Sequence, residues 1–138
     1  MFDVILKGIM ENAIMDGDSA TKRYYDELKN EKFMTTKCEA CNYLMFPPRS
    51  LCPKCLNDKL TWIELSGNGT LYAFSWQERG LLFSKPDVLG MVELEEGCGR
   101  IVGVITAPYE KLKVGMKVKI HYFNMMNIAT LAQFKPVE

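Results

Sequence analysis

The sequence lacks an excess of either charge. Its 17 basic and 17 acidic side chains cancel, and the two signs also balance within residues 1–37, 38–60 and 61–138. Non-specific binding to a nucleic acid requires a basic surface that neutralises phosphates. The charge balance therefore counts against a nucleic-acid-binding protein.

The sequence also lacks a long hydrophobic run. No apolar stretch approaches the roughly 18–20 residues that span a bilayer. Residues 1–7 are apolar but interrupted by charge, and they have neither the basic region nor the small-residue cleavage site of a secretory signal. These absences predict a cytoplasmic protein with no membrane segment. With 138 residues, of which 48% are hydrophobic, the chain has room for one globular domain or two very small ones.

Cysteine is scarce, and its count is odd. Five cysteines cannot form a closed disulfide framework, but four of them lie within residues 38–55 in a regular pattern. Cys38-x2-Cys41 is followed after ten residues by Cys52-x2-Cys55. Each Cys-x2-Cys knuckle directs two thiolates at one ion, and two knuckles form the tetrahedral sulfur site that zinc prefers.

All four ligands of such a site come from the protein, so no position stays open for water. The spacing therefore predicts structural rather than catalytic Zn²⁺. Iron with rubredoxin-like redox chemistry is the alternative metal, and two disulfides are the alternative to a metal. Within this segment, residues 43–48 are interpreted mainly as packing, with an exposed tip for a partner as the alternative.

The hydrophobic pattern changes along the chain. Helical spacing predicts amphipathic helices at residues 2–13 and 19–30, the second capped by Asp18 or Ser19. We expect the first helix to dock on a partner or on a second copy of the chain. From Trp62 onward the apolar period becomes two, which predicts five short strands and a small closed barrel. The predicted strands cover residues 70–76, 88–94, 101–105, 116–122 and 129–134, with a helical turn at 108–112.

The order of these motifs resembles a known family. The matching segments are residues 37–41 (KCEAC), 46–49 (FPPR), 51–55 (LCPKC), 67–72 (GNGTLY) and 114–118 (VGMKV). They are similar to the family of small proteins in which a rubredoxin-like zinc ribbon is followed by an OB-fold, and the resemblance covers residues 20–138.

The resemblance implies a fold and a domain arrangement. The fold is mainly β with N-terminal helices, a rubredoxin-like zinc ribbon and a five-stranded OB-fold barrel. It divides the chain into a helical segment at residues 1–33, the ribbon at 34–60 and the OB-fold at 61–138. The family motif assigns its four cysteines as the metal ligands.

The resemblance also implies a function. Family members are non-catalytic partners of thiolase-like and other acyl-CoA enzymes. We therefore expect a zinc-binding accessory subunit that docks on a thiolase-like catalytic chain in a hetero-oligomer and helps to position acyl-CoA. The alternative is a nucleic-acid-binding module, since zinc ribbons and OB-folds both do that work.

The barrel offers candidates for contact with CoA. Trp76, Arg79 and Lys85 lie in or beside predicted loops, where the cations can meet phosphates; solvated surface charge is the alternative for them. The face formed by Tyr72, Phe74 and Trp76 can stack a base, but alternate strand residues normally point inward. We therefore expect these three aromatic side chains to fill the barrel core.

Independent catalysis is not expected. A thiolase needs a nucleophilic cysteine with a base beside it, and only Cys98 and the single histidine, His121, remain for that role. The pattern instead predicts a flexible turn thiol and a surface imidazole. A chain of 138 residues is also too short for a thiolase fold.

Overall fold

The computed structural model describes residues 20–79 and 86–137. The predicted helix at 2–13, the capping candidates Asp18 and Ser19, and Lys85 lie outside these residues. No helix within the described residues is long and apolar enough to cross a membrane.

The first described element is helix α1, Ala20–Lys29, which confirms the helix predicted at residues 19–30. Leu28 on its apolar side is fully buried, and Lys22 pairs with Asp26 across one helical turn at 2.8 Å. The helix ends where Glu31 adopts a left-handed backbone conformation.

A three-stranded antiparallel sheet follows the helix. Strands β1 (Met34–Cys38), β2 (Leu44–Met45) and β3 (Leu60–Glu64) are ordered β2-β1-β3. Buried Phe33 precedes β1, and its ring contacts Phe46 at 5.4 Å and Tyr24 at 6.3 Å. This aromatic cluster packs α1 and the Phe46–Pro47 segment, which contains a cis peptide bond, against the sheet.

The second sheet has five strands in the order β6-β5-β4-β7-β8. The strands are β4 (Asn68–Gln77), β5 (Asp87–Leu94), β6 (Arg100–Val104), β7 (Lys117–Met125) and β8 (Ala129–Pro136), with a 3-10 turn at Tyr109–Lys111. All five predicted strands and the predicted helical turn are confirmed, with small shifts of their ends. A parallel bridge between Ile105 and Phe134 brings the two edges together in a nearly closed antiparallel barrel, the OB-fold.

The expectation that Tyr72, Phe74 and Trp76 fill the barrel core is wrong for two of them. Tyr72 is 48% exposed and Trp76 is 54% exposed, whereas Leu71 is fully buried. The register against β5 shifts between Leu71 and Ala73, and an extra residue there reverses the faces of the strand. Leu71 rather than Tyr72 therefore points inward before the shift, and Phe74 is partly buried beyond it. The shift does not explain the exposure of Trp76. The barrel core contains mainly aliphatic side chains: Leu71, Val88, Val92, Leu94, Ile105, Leu112, Val118 and Phe134.

The chain divides into two compact units. Among the described residues, the ribbon unit comprises residues 20–65 together with Tyr122–Leu131, and the barrel unit comprises those of Ser66–His121 and residues 132–137. Within the ribbon unit, Tyr25 of α1 packs against Ile128 and Ala129. The predicted domain limits at residues 33 and 60 stay a prediction.

Candidate metal centre

Two backbone knuckles with the same hydrogen-bond pattern carry the cysteines. In the first, Cys38 donates its N–H to the Tyr43 carbonyl at 2.9 Å and accepts the Asn42 N–H at 3.0 Å. In the second, Cys52 donates to the Asn57 carbonyl and accepts the Leu56 N–H, both at 2.9 Å. Each knuckle bends the chain so that its two sulfurs face the other knuckle.

The four cysteine sulfurs form one cluster. All lie within 4.8 Å of one another, with Cys38 to Cys55 at 3.5 Å and Cys41 to Cys52 at 3.6 Å. A disulfide bond requires about 2.05 Å, so these sulfurs are not bonded to each other. Zinc–sulfur bonds of about 2.3 Å in a tetrahedron place sulfurs about 3.8 Å apart. The cluster therefore has the dimensions of a zinc-ribbon site.

The backbone around the cluster favours thiolates at the first cysteine of each knuckle. The N–H of Cys41, with help from that of Ala40, lowers the pKa of Cys38. Burial opposes ionisation of Cys52, but the N–H groups of Cys55 and Lys54 set its pKa at about 7. The Asn57 N–H favours the Cys55 thiolate, yet the sulfur of Cys38 and burial raise its pKa to about 12. Four adjacent thiols ionise together only when a cation compensates their charge.

One edge of the cluster is buried and the other is exposed. Cys38 and Cys52 are fully buried and pack with Met45, whereas Cys41 and Cys55 are exposed. Tyr43 covers this small core.

The packing interpretation of residues 43–48 is confirmed. Met45 and Pro48 are buried, and the ring of Phe46 lies 6.0 Å from that of Tyr24. These side chains fix the ribbon to its neighbours within the ribbon unit.

Of the candidate CoA contacts on the barrel, the structure describes Trp76 and Arg79. Trp76 lies in β4, one residue before the strand ends at Gln77, and its ring is 6.4 Å from that of Tyr109. Arg79 is exposed just after β4. The structure thus gives the barrel unit an exposed aromatic pair, and Arg79 follows Trp76 by three residues in the sequence.

Cys98 does not have the environment of a nucleophile. Burial, followed by the negative charge of Glu96, raises the pKa of its thiol, which keeps the thiol protonated. A reactive cysteine needs the opposite shift. His121 is half-buried in β7, so the expectation of a surface imidazole is only partly met.

Sequence analysis did not identify a polar cleft in the ribbon unit, lined by Arg23, Arg49 and Trp62 among others. These residues come from a helix, a loop and a strand, and no spacing along the chain links them. The one feature of the sequence that could have pointed to the cleft was Arg49, which follows the two prolines of the FPPR segment.

Two family models match consecutive parts of the chain. The model of the ChsH2 rubredoxin-like zinc ribbon domain matches residues 26–61. The model of the ChsH2 C-terminal OB-fold domain matches residues 62–123. Together they cover the ribbon and most of the barrel.

Known proteins resemble the chain in sequence. A DUF35 domain-containing scaffold protein of Methanocaldococcus jannaschii is 31% identical over 113 residues, which cover 74% of this chain and 79% of the relative. A probable enoyl-CoA hydratase alpha subunit of Thermomonospora curvata is 26% identical over 82% of this chain. This chain spans only 36% of that relative's length.

Solved structures resemble the chain in fold. The structure described as Ltp2-ChsH2(DUF35) aldolase matches with a TM-score of 0.77 and 26% identity, over 88% of this chain and 96% of the matched chain. A DUF35 protein of Sulfolobus solfataricus matches with a TM-score of 0.66 over 97% of this chain. Its 18% identity supports the fold alone.

Proposed function

This chain belongs to the DUF35 family of zinc-ribbon and OB-fold proteins, and from that premise we propose that it is the non-catalytic scaffold subunit of an acyl-CoA-processing complex. Its partner in this proposal is a thiolase-like catalytic chain. The ribbon unit docks on that partner, and the barrel unit helps to position the acyl-CoA. Positioning of a substrate raises a rate without supplying a reacting group.

One observation carries the proposal. The matched chain of the Ltp2-ChsH2(DUF35) aldolase is covered over 96% of its length, and that assembly's name pairs a DUF35 chain with a second component. The DUF35 relatives are named scaffold proteins. Cys98 is the one cysteine outside the cluster, and the pKa of its thiol is raised. It is therefore poorly suited to thiolase chemistry, which needs a thiolate nucleophile.

Zinc is the metal that we propose for Cys38, Cys41, Cys52 and Cys55. The protein provides all four sulfurs of a tetrahedron, so the ion has no open position for water or substrate. Its role is to hold the two knuckles together and keep the ribbon rigid. Iron is the alternative ion, and metal analysis with a visible absorption spectrum separates the two.

The barrel surface is the proposed contact for acyl-CoA, through Trp76, Arg79 and Lys85. The exposed indole of Trp76 offers a flat apolar face. Arginine and lysine nearby can pair with phosphate oxygens. We propose these three contacts from the chemistry of the side chains and from their positions in the sequence.

The proposal is tested by native mass spectrometry of the tagged chain purified from its own organism. We expect a stable complex with a larger chain whose peptides identify it as thiolase-like, with one zinc per copy of this protein. A lone zinc-bound monomer or homodimer, seen under gentle conditions, would contradict the proposal.

Nucleic-acid binding is the second candidate, and the exposed pair of Trp76 and Tyr109 is the observation that favours it. Aromatic rings on an OB-fold can stack successive bases. The neutral charge balance of the chain opposes it. Salt-dependent binding of a labelled single strand, measured by fluorescence anisotropy, would favour this candidate over the scaffold.

A further inference from the structure

A polar cleft of about 440 Å³ lies within the ribbon unit. Its walls include Arg23 from α1, Arg49 from the loop after the cis proline, and Trp62 from β3. The cleft involves none of the four cysteines.

The position of Arg49 is fixed by a buried side chain. Thr36 of β1 is 1% exposed. Its hydroxyl accepts the Arg49 N–H at 3.1 Å and donates to the Arg49 carbonyl at 3.3 Å. Both bonds use the backbone of Arg49, so its guanidinium remains available to a ligand in the cleft that Arg49 lines.

The second arginine of the cleft lies over the Trp62 ring. Trp62 lies directly opposite Thr36 in the pairing of β1 with β3. The guanidinium carbon of Arg23 lies 4.7 Å from the centre of the Trp62 ring. A guanidinium stacked in this way still has its N–H donors around its edge. Its other face can take a second flat ring.

The charges of the cleft favour an anion. Lys22 and Asp26 pair with each other at 2.8 Å, which leaves Arg23, Arg49 and Asp58 as the remaining charges of the lining. Among residues 20–79 and 86–137, neither guanidinium forms an ion pair with a carboxylate. Two such guanidinium groups beside one cleft suit a phosphate, which accepts bidentate hydrogen bonds from arginine. The carboxylate of Asp58 suits a ligand that also carries hydrogen-bond donors.

We propose that this cleft binds the phosphate groups of a nucleotide, with Arg49 as the main phosphate ligand and Arg23 contacting both phosphate and base. A nucleotide combines the three features that the lining suits: an anion, a flat ring and hydroxyl or amino donors. This nucleotide site is formed by other residues than the barrel contact proposed for acyl-CoA, and it does not rest on the proposed function.

The test is calorimetric titration of the full zinc-loaded chain with CoA, ADP, inorganic pyrophosphate and pantetheine. We expect CoA and ADP to bind, pyrophosphate to bind more weakly, and pantetheine, which has no phosphate, not to bind. Arg49→Ala should weaken ADP binding about tenfold or more, the usual effect of losing a charge-assisted hydrogen bond. Lys113→Ala, which removes an exposed cation of the barrel unit, should change it less than about twofold.

Arg79→Ala provides the competing outcome. If it weakens ADP binding while Arg49→Ala does not, the nucleotide binds on the barrel and the inference is wrong. The absence of any heat with CoA or ADP at millimolar concentration would also overturn it. Zinc content and circular dichroism verify that each variant is folded. Co-purification of Arg49→Ala with the catalytic partner tests the scaffold separately from the cleft.

Discussion

Asn42 and Leu56 hold equivalent positions, one residue after the second cysteine of each knuckle. Both adopt left-handed backbone conformations, with φ of 60° and 61°. Asparagine tolerates this region, but a leucine there costs roughly 1–2 kcal/mol. Leu56 is also 69% exposed, so it recovers little of that energy by burial within the chain.

We expect Leu56→Gly to stabilise the zinc-loaded protein. Glycine removes the strain at positive φ, and after its larger entropy loss on folding the net gain should be about 0.5–1 kcal/mol. The thermal midpoint should then rise by about 2–4 °C. Asn42→Gly is the matched control and should shift the midpoint by less. A lower midpoint for Leu56→Gly would indicate that the leucine side chain makes a stabilising contact.

Cysteine substitution tests the metal centre. We expect Cys52→Ser to lose most of its zinc and to unfold the ribbon, because structural zinc contributes about 10–16 kcal/mol in small zinc domains. Cys98→Ser should keep one zinc per chain and a wild-type circular dichroism spectrum. Metal analysis after gel filtration measures both. Full zinc in Cys52→Ser, or its loss in Cys98→Ser, contradicts the assignment.

Single residues differ in how well the sequence predicts them. The cysteine cluster was predictable because covalent spacing within each knuckle fixes where two sulfurs can meet. The pairing of Arg23 with Trp62 was not, because it depends on how α1 packs on β3. The exposure of Tyr72 was also missed, since one shift in register reverses the faces of a strand.

At the scale of elements, helix α1 is held by aromatic packing. The ring of Tyr24 contacts Tyr25 at 5.1 Å in addition to Phe33 and Phe46. Burial raises the pKa of Tyr24 far above its usual 10.0, and the neighbouring Tyr25 and Tyr122 add to the shift. The folded ribbon unit therefore requires a neutral Tyr24 phenol.

This requirement predicts a loss of stability in alkali. The folded pKa of Tyr24 exceeds the unfolded value, so its contribution is complete below about pH 10 and is lost as the pH rises above it. Tyr24→Phe keeps the ring but cannot ionise. The measurement is the thermal midpoint of Tyr24→Phe minus that of the wild type. We expect this difference to become more positive as the pH rises from about 8 to about 11, because only the wild type loses the contribution of Tyr24. A difference that stays constant with pH would contradict the burial argument.

The elements themselves were largely predictable. Alternating apolar residues located all five barrel strands, and the polar breaks between them marked the turns. The ribbon strands were harder to locate, since β2 has two residues and its register depends on the hydrogen bonds of the knuckles. The inclusion of Tyr122–Leu131 in the ribbon unit results from tertiary packing such as that of Ile128 on Tyr25, which no local pattern encodes.

At the scale of the whole molecule, the described residues suit the proposed scaffold function. The clustered cysteines offer all four ligands of a metal site, and burial raises the pKa of the Cys98 thiol. The contacts that we propose for phosphates are cations, and exposed aromatic rings lie on the barrel unit. These features suit a chain that supports the reaction of another.

Reconstitution of the catalytic partner is the decisive test of the scaffold function. The thiolase-like chain identified by mass spectrometry would be produced with and without this protein, and its assembly and acyl-CoA turnover would be measured at equal concentration. We expect the partner alone to be poorly assembled or slow. The zinc-loaded protein should restore its assembly and turnover, whereas Cys52→Ser should not. A partner that is soluble, assembled and fully active on its own would contradict the scaffold function.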